Sequence, residues 1–215
     1  MNDYLPILAI ETSSRLCSVS VYFSDDLYSE FSVNKKNIHS EKLFDLIDEC
    51  ISELNINVDS LKSIAVSIGP GSFTGLRVGL SAAKGIAFGK GIPIIPVPTF
   101  EALALQISEF SKPSTNFSIC NSVNRDEYYL SEFHSKINGY EVTRELELIK
   151  KTDFKNEIKT DLVFGDFQNK SSISSIPSSL FIAKWAYLFG NDLLTFDHDY
   201  LEPNYIKNFV ARRTK

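Results

Sequence analysis

The chain has 215 residues, a formal net charge of −5, 43% hydrophobic residues and 23% charged residues. That size and balance support a buried core without disulfides or metal, and they exclude a wholly disordered chain. Three widely spaced cysteines (Cys17, Cys50, Cys120) read as buried apolar fillers, and the acidic balance argues against broad nucleic-acid binding by the chain alone. The start Met1-Asn2-Asp3-Tyr4 lacks the basic opening of a signal peptide, and no run of about 18 apolar residues occurs. A cytoplasmic protein with no membrane span is expected.

Leu5 to Glu11 reads as a buried strand, Leu16 to Phe23 as a second and Leu27 to Val33 as a third, joined by the turns Thr12-Ser13-Ser14-Arg15 and Asp25-Asp26. Short turns between strands predict an antiparallel meander. A helix follows from about Ser40 to Leu54, with Ser40 as cap and Glu41 in the first turn. Its apolar residues Leu43, Phe44, Leu46, Ile47, Ile51 and Leu54 span an arc of about 160° at about 100° per residue, wider than a simple core stripe. Either the helix is deeply buried, or it serves the core and a partner together.

Ser63 to Ile68 is a short buried strand that runs into Gly69-Pro70-Gly71-Ser72-Phe73-Thr74-Gly75 and then a long helix to about Gly89. Ile94 to Val97 is a strand, and a helix capped by Thr99 runs to Phe110. Residues 1–110 therefore form a first lobe of order β-β-β-α-β-α-β-α. Ser111 to Asn116 is a linker. Strands at Phe117 to Val123, Glu127 to Phe133 and Tyr140 to Leu148 then repeat the opening meander, with Arg125 placed as Arg15 is. A smaller second lobe over 111–200 adds a short strand at Leu162 to Phe164 and a helix at Phe181 to Phe189, with Ser171 to Ser179 as loop. Residues 201–215 form a basic tail containing Lys207, Arg212, Arg213 and Lys215.

The glycine segment carries the most information. Gly71 suits a tight strand-to-helix turn at positive φ. The amides of the helix start, with Ser72 and Thr74, are candidates to hold an anion together with Glu11 and Ser13. Gly75, Gly79, Ala83 and Ala87 recur every four residues and make a smooth row that lets another helix approach closely. Interior glycines each cost about 1 kcal/mol against alanine, so packing has to offset them. No Gly-Lys-Ser/Thr follows, and the spacing is not that of a dinucleotide fingerprint, so close helix packing is favoured over anion binding.

Ile10-Glu11-Thr12-Ser13, Cys17 to Val21, His39-Ser40-Glu41, Gly69 to Gly79, Gly91-Ile92-Pro93 and Pro98 to Leu103 together resemble the TsaB (YeaZ) family. The resemblance is dense over residues 7–105 and looser beyond residue 110. It implies a two-lobed actin/Hsp70/sugar-kinase-like (ASKHA, ribonuclease H-like) α/β fold with a reduced second lobe. It also implies a non-catalytic subunit that pairs with a larger TsaD-type catalytic subunit and a TsaE-type ATPase. That assembly transfers a threonylcarbamoyl group to adenosine 37 of tRNA, giving threonylcarbamoyladenosine (t6A). ATP, Mg and a metal would belong to the partner subunits, and none to this chain alone. The implied contact is a bundle of the first two helices of each subunit, here through Leu43, Phe44, Ile47, Ile51, Gly75, Leu76, Gly79, Leu80, Ala83 and Ala87. The same apolar face predicts a homodimer when the chain is alone.

Departures from active relatives point the same way. The larger paralogue's two histidines four apart become His39 and Leu43, so metal binding is not expected, and His39 reads as a local helix-start contact. The second-lobe hairpin, Asn121-Ser122-Val123-Asn124, holds no acid to pair with Glu11 across a Mg-nucleotide site. The rival reading is an independent nucleotide-binding kinase or ATPase of the same fold. A peptidase has the least support, because no activated nucleophile can be assembled from the spacing. Pro203-Asn204-Tyr205-Ile206-Lys207 resembles the family's C-terminal Pro-x-Tyr-x-Arg with lysine for arginine, as a contact to tRNA or partner or as a solvated end.

Overall fold

The computed structural model describes residues 2–165 and 177–204. The chain order is β1 (Ile7–Glu11), β2 (Leu16–Ser24), β3 (Leu27–Asn34), α1 (His39–Glu53), β4 (Ser63–Gly69), α2 (Phe73–Lys90), β5 (Ile94–Pro98) and α3 (Thr99–Phe110). It continues with β6 (Asn116–Ser122), β7 (Glu127–Lys136), β8 (Gly139–Lys150), α4 (Phe154–Glu157), β9 (Leu162–Phe164) and α5 (Ser179–Phe189).

Two sheets share one plan. The first has the order β3-β2-β1-β4-β5 and the second β8-β7-β6-β9. In each, an antiparallel meander is extended by a parallel strand on the free edge of its first strand. Among the described residues the second sheet has no counterpart of β5, so the two sheets repeat one plan and the second copy is the smaller. The two-lobed ASKHA-type α/β fold is thereby present.

β1 explains the layering. Side chains alternate along a strand, and β1 is buried on both faces. Leu8 and Ile10 point into a core with Leu43, Leu46 and Ile47 of α1 and Leu80, Ala83 and Ala87 of α2. Ile7 and Ala9 point the other way, to Ala102 and Leu105 of α3 and Phe181, Ile182 and Ala183 of α5. The far side of α3 supplies Phe100, Leu103 and Ile107 to Phe117, Ile119 and Phe133 of the second sheet. Phe154, within the short α4, which the sequence pattern did not mark, covers that sheet's outer face beside Tyr128 and Ile149. The layers run α1/α2, first sheet, α3/α5, second sheet, α4.

Four sequence expectations need correction. Ser40 does not cap α1, which begins at His39 after Ile38 with no side-chain cap. Thr99 is inside α3, and its hydroxyl instead accepts from Gly69 N at 3.1 Å. The 111–200 lobe is not self-contained, because α5 returns to the first sheet, where the Glu30 carboxylate accepts from Leu180 N at 3.0 Å. Residues 201–204 are not free tail: Leu201 joins the α1/α2 core and Asn204 N donates to Ile68 O at 2.7 Å. The serine-rich stretch up to 176 and the basic end 205–215 lie outside the described residues. Among the described residues no helix is long and apolar enough to cross a membrane.

Candidate partner-binding face

The β1–β2 turn and the glycine segment lock together. Ser72 N donates to Ser13 O at 2.6 Å, and the Thr12 hydroxyl donates to Gly75 O at 2.8 Å. Ser72 caps α2, its hydroxyl accepting from Gly75 N at 3.2 Å. A side chain at Gly75 would strike the Thr12 carbonyl oxygen, and one at Gly79 the Thr12 hydroxyl. Positive φ falls at Gly69 (114°) and not at Gly71, where glycine is required because a Cβ would lie 2.5 Å from Ser13 O.

Glu11 stands under this turn. It is wholly buried and accepts from Ser13 N at 2.5 Å. Burial pushes its carboxyl up to about 7, with Ser13 and more weakly Ser67 pulling the other way. Glu11, Ser13, Gly71 and Ser72 are thus brought together, but by bonds to one another, and Thr74 points outward. An anion there would have to displace Ser13 from the helix start. In the second lobe, the Asn124 side chain closes the equivalent turn, accepting from Asp126 N at 2.7 Å and Glu127 N at 3.0 Å. Among the described residues no group of three His, Cys, Asp or Glu is placed to hold a metal ion.

The smooth row at 75–87 faces inward. Gly75, Leu76, Gly79, Leu80, Ala83 and Ala87 are all buried, the glycines against Thr12 and the rest in the core. Its smoothness therefore fits α2 to its own sheet. On α1, Leu43 and Ile47 are buried and Ile51 is half-buried, whereas Phe44 is 57% exposed. The wide arc thus has an inner and an outer part.

The outer part is an open groove between α1 and α2, about 600 Å³ in volume. Phe44 stands on one side and Phe73 and Val78 on the other, with Arg77 stacked over the Phe73 ring at 3.9 Å. His39 lines the groove and is more than nine-tenths buried. Its Nε2 lies 2.8 Å from Ser14 O, and Nδ1 has no hydrogen-bond partner. Farther along α2, Ser81, Gly85 and Gly89 are exposed and Phe88 is 82% exposed. Nothing lies within 4 Å of where a side chain at Gly85 or Gly89 would begin. Sequence reading missed this second row. The available signal was the offset of 81, 85 and 89 from 75, 79, 83 and 87, six residues or about 240° around the helix.

Comparison with known proteins converges on one group. The family model of TsaD, tRNA N6-adenosine threonylcarbamoyltransferase, matches residues 32–143, from the end of β3 through both groove helices into β8. A tRNA threonylcarbamoyladenosine biosynthesis protein TsaB of Haemophilus influenzae is 24% identical over 226 residues, covering 96% of this chain and 95% of the relative. A tRNA N6-adenosine threonylcarbamoyltransferase of Streptococcus pneumoniae is 36% identical over 107 residues, which is 42% of this chain and 32% of that enzyme. YeaZ from Pseudomonas aeruginosa shares the fold, with a TM-score of 0.75 at 18% identity over 93% of this chain and 99% of that one. The chain belongs to the TsaD family and, within it, to the TsaB (YeaZ) group associated with threonylcarbamoyladenosine synthesis on tRNA.

Proposed function

We propose that this chain is a non-catalytic scaffold and activator subunit. It pairs with a TsaD-type catalytic subunit for transfer of the threonylcarbamoyl group to adenosine 37 of tRNA in the cytoplasm. The observation that carries this is the open apolar groove between α1 and α2, in the part of the chain that also matches the transferase family. Two subunits with the same α1–β4–α2 unit can meet about a pseudo-twofold axis, each offering the same face. The chain's own residues then do positional work. Phe44, Phe73 and Val78 bury apolar surface in the contact, and the tightly bonded β1–β2 turn and glycine segment hold α2 rigidly against its sheet. ATP, Mg and the metal come with the TsaE-type ATPase and the catalytic subunit. tRNA is engaged through the complex, and the free chain self-associates through the same face.

The test is an omission assay. Threonylcarbamoyl transfer is reconstituted from the catalytic subunit, the ATPase subunit and threonylcarbamoyl-AMP, with and without this chain. Modified nucleoside should form only when the chain is present, and the chain alone should form none. Undiminished product on omission refutes the role, and the isolated chain is then to be screened as a nucleotide enzyme.

A further inference from the structure

The described chain ends beside the groove. Leu201 packs into the α1/α2 core, and Asn204 N donates to Ile68 O at 2.7 Å, where β4 leads into the glycine segment. Leu201, Glu202 and Pro203 form one wall of a smaller cavity of about 230 Å³ against α2. Arg77 and Ser81 line both that cavity and the α1/α2 groove, so the two adjoin. Residues 205–215 span about 35 Å when fully extended. The stretch of α2 that lines the groove, Phe73 to Ala82, is about 14 Å long. Starting point and length both allow this segment to reach the groove.

Its chemistry matches what it would meet. Tyr205, Ile206, Phe209 and Val210 are apolar or aromatic, Lys207, Arg212, Arg213 and Lys215 are cations, and no acid occurs among these residues. The groove offers Leu43, Phe44, Val78 and Ala82 as apolar lining. Glu41 and Asp48 stand three and four residues from Phe44 on α1, hence on its side of the helix, and both are exposed. Asp45, Glu49 and Glu53 add to the acidic surface of α1, against which the helix sets only Lys42, itself paired with Asp45. A short tether also keeps such a segment at about millimolar local concentration, so even weak intrinsic affinity fills a site within its reach.

We propose that residues 205–215 fold back over the α1/α2 groove of their own chain, with Phe209 and Val210 against Phe44 and Val78 and the cations at 212–215 along the acids of α1. The groove then has competing occupants: this segment in the lone protomer and a second subunit in an assembly. A segment seated about nine-tenths of the time weakens pairing about tenfold, because only the uncovered fraction binds. The docking is independent of the pairing function proposed above, and its effect on pairing rests on it.

The test places a nitroxide label on the full chain at Thr214→Cys, the native cysteines being buried, and reads paramagnetic broadening of backbone amides by NMR. Broadening should fall on residues 39–53 and 73–82 of the labelled molecule. It should be largely lost in Phe209→Asp, and in Arg212→Glu with Arg213→Glu it should fall most at low salt, where screening is weakest. Broadening that is absent, confined to the second sheet or unchanged by Phe209→Asp overturns the docking. In a mixture with unlabelled chain, broadening found only on the unlabelled molecules gives the groove to a second copy and overturns it as well. Calorimetry against the catalytic subunit then separates the two claims. A chain shortened to end at Asn204 should bind about tenfold more tightly than the full chain, and equal affinity overturns the competition. Failure of both chains to bind, with the broadening present, refutes the pairing function and leaves the docking standing.

Discussion

Gly75 and Gly79 sit under Thr12, where a single added carbon collides with the β1–β2 turn. Gly85 and Gly89 stand on the outer side of the same helix, with no heavy atom within 4 Å of where a side chain would begin. One residue type in one helix thus stands in two different surroundings. The inner pair makes the close approach of α2 to its own sheet possible. The outer pair meets no neighbour within the folded chain. The two pairs lie about 120° apart around α2.

The sharpest way to break this contrast is to exchange the two sides. Gly79→Leu should destabilise the free chain by about 4 kcal/mol or more, because Thr12 is buried and bonded to Gly75 and cannot step aside. Denaturant unfolding reads this directly, and a Gly79→Leu chain of normal stability would dissolve the distinction. That substitution therefore reports on folding, and it cannot serve as a clean probe of pairing.

A second prediction concerns the turn that Gly75 and Gly79 accommodate. Glu11 has a carboxyl raised to about 7 in the folded chain against an ordinary 4.5. Between those values the native state holds a proton that the unfolded chain has released, so the stability from this group is complete below about pH 4.5 and is lost as pH rises to about 7. The loss amounts to about 3 kcal/mol, and Glu11→Gln should remove most of the slope. Melting temperatures of both proteins from pH 5 to 8 test it, and parallel curves would contradict it.

Smaller effects follow at the helix ends and on the outer face. Ser72→Ala removes the cap on Gly75 N and should cost about 1 kcal/mol, measured by chemical denaturation. Gly85→Ala should do the reverse, stabilising the free chain by about 0.5–1 kcal/mol and raising its melting point by about 2–4 °C. A fall in melting point there would mean that Gly85 has an internal role after all.

Much of the fold was legible because the periodicities were strong. The duplicated meander, the α3 boundaries and the β9 boundaries follow from alternation and from a helix bounded by Pro98 and Ser111. The caps were less legible, because Ser40 and Thr99 are good capping residues whose hydroxyls had other places to go. The return of α5 to the first sheet was hidden, since nothing local in Ser179–Phe189 tells which of two sheets its apolar side will cover. At the candidate site, the wide arc of α1 divides into buried Leu43 and Ile47 and outward Phe44. The row of small residues on α2 was read correctly as a surface for close approach but given to the wrong neighbour. A four-residue repeat fixes a face of a helix and not what that face meets.

Amide hydrogen exchange on the full chain, with and without the catalytic subunit, tests the central claim most directly. Protection on binding should appear over residues 39–53 and 73–90, with the second sheet unchanged. Protection confined to the second lobe, or none at α1 and α2 under conditions where the complex forms, would contradict it.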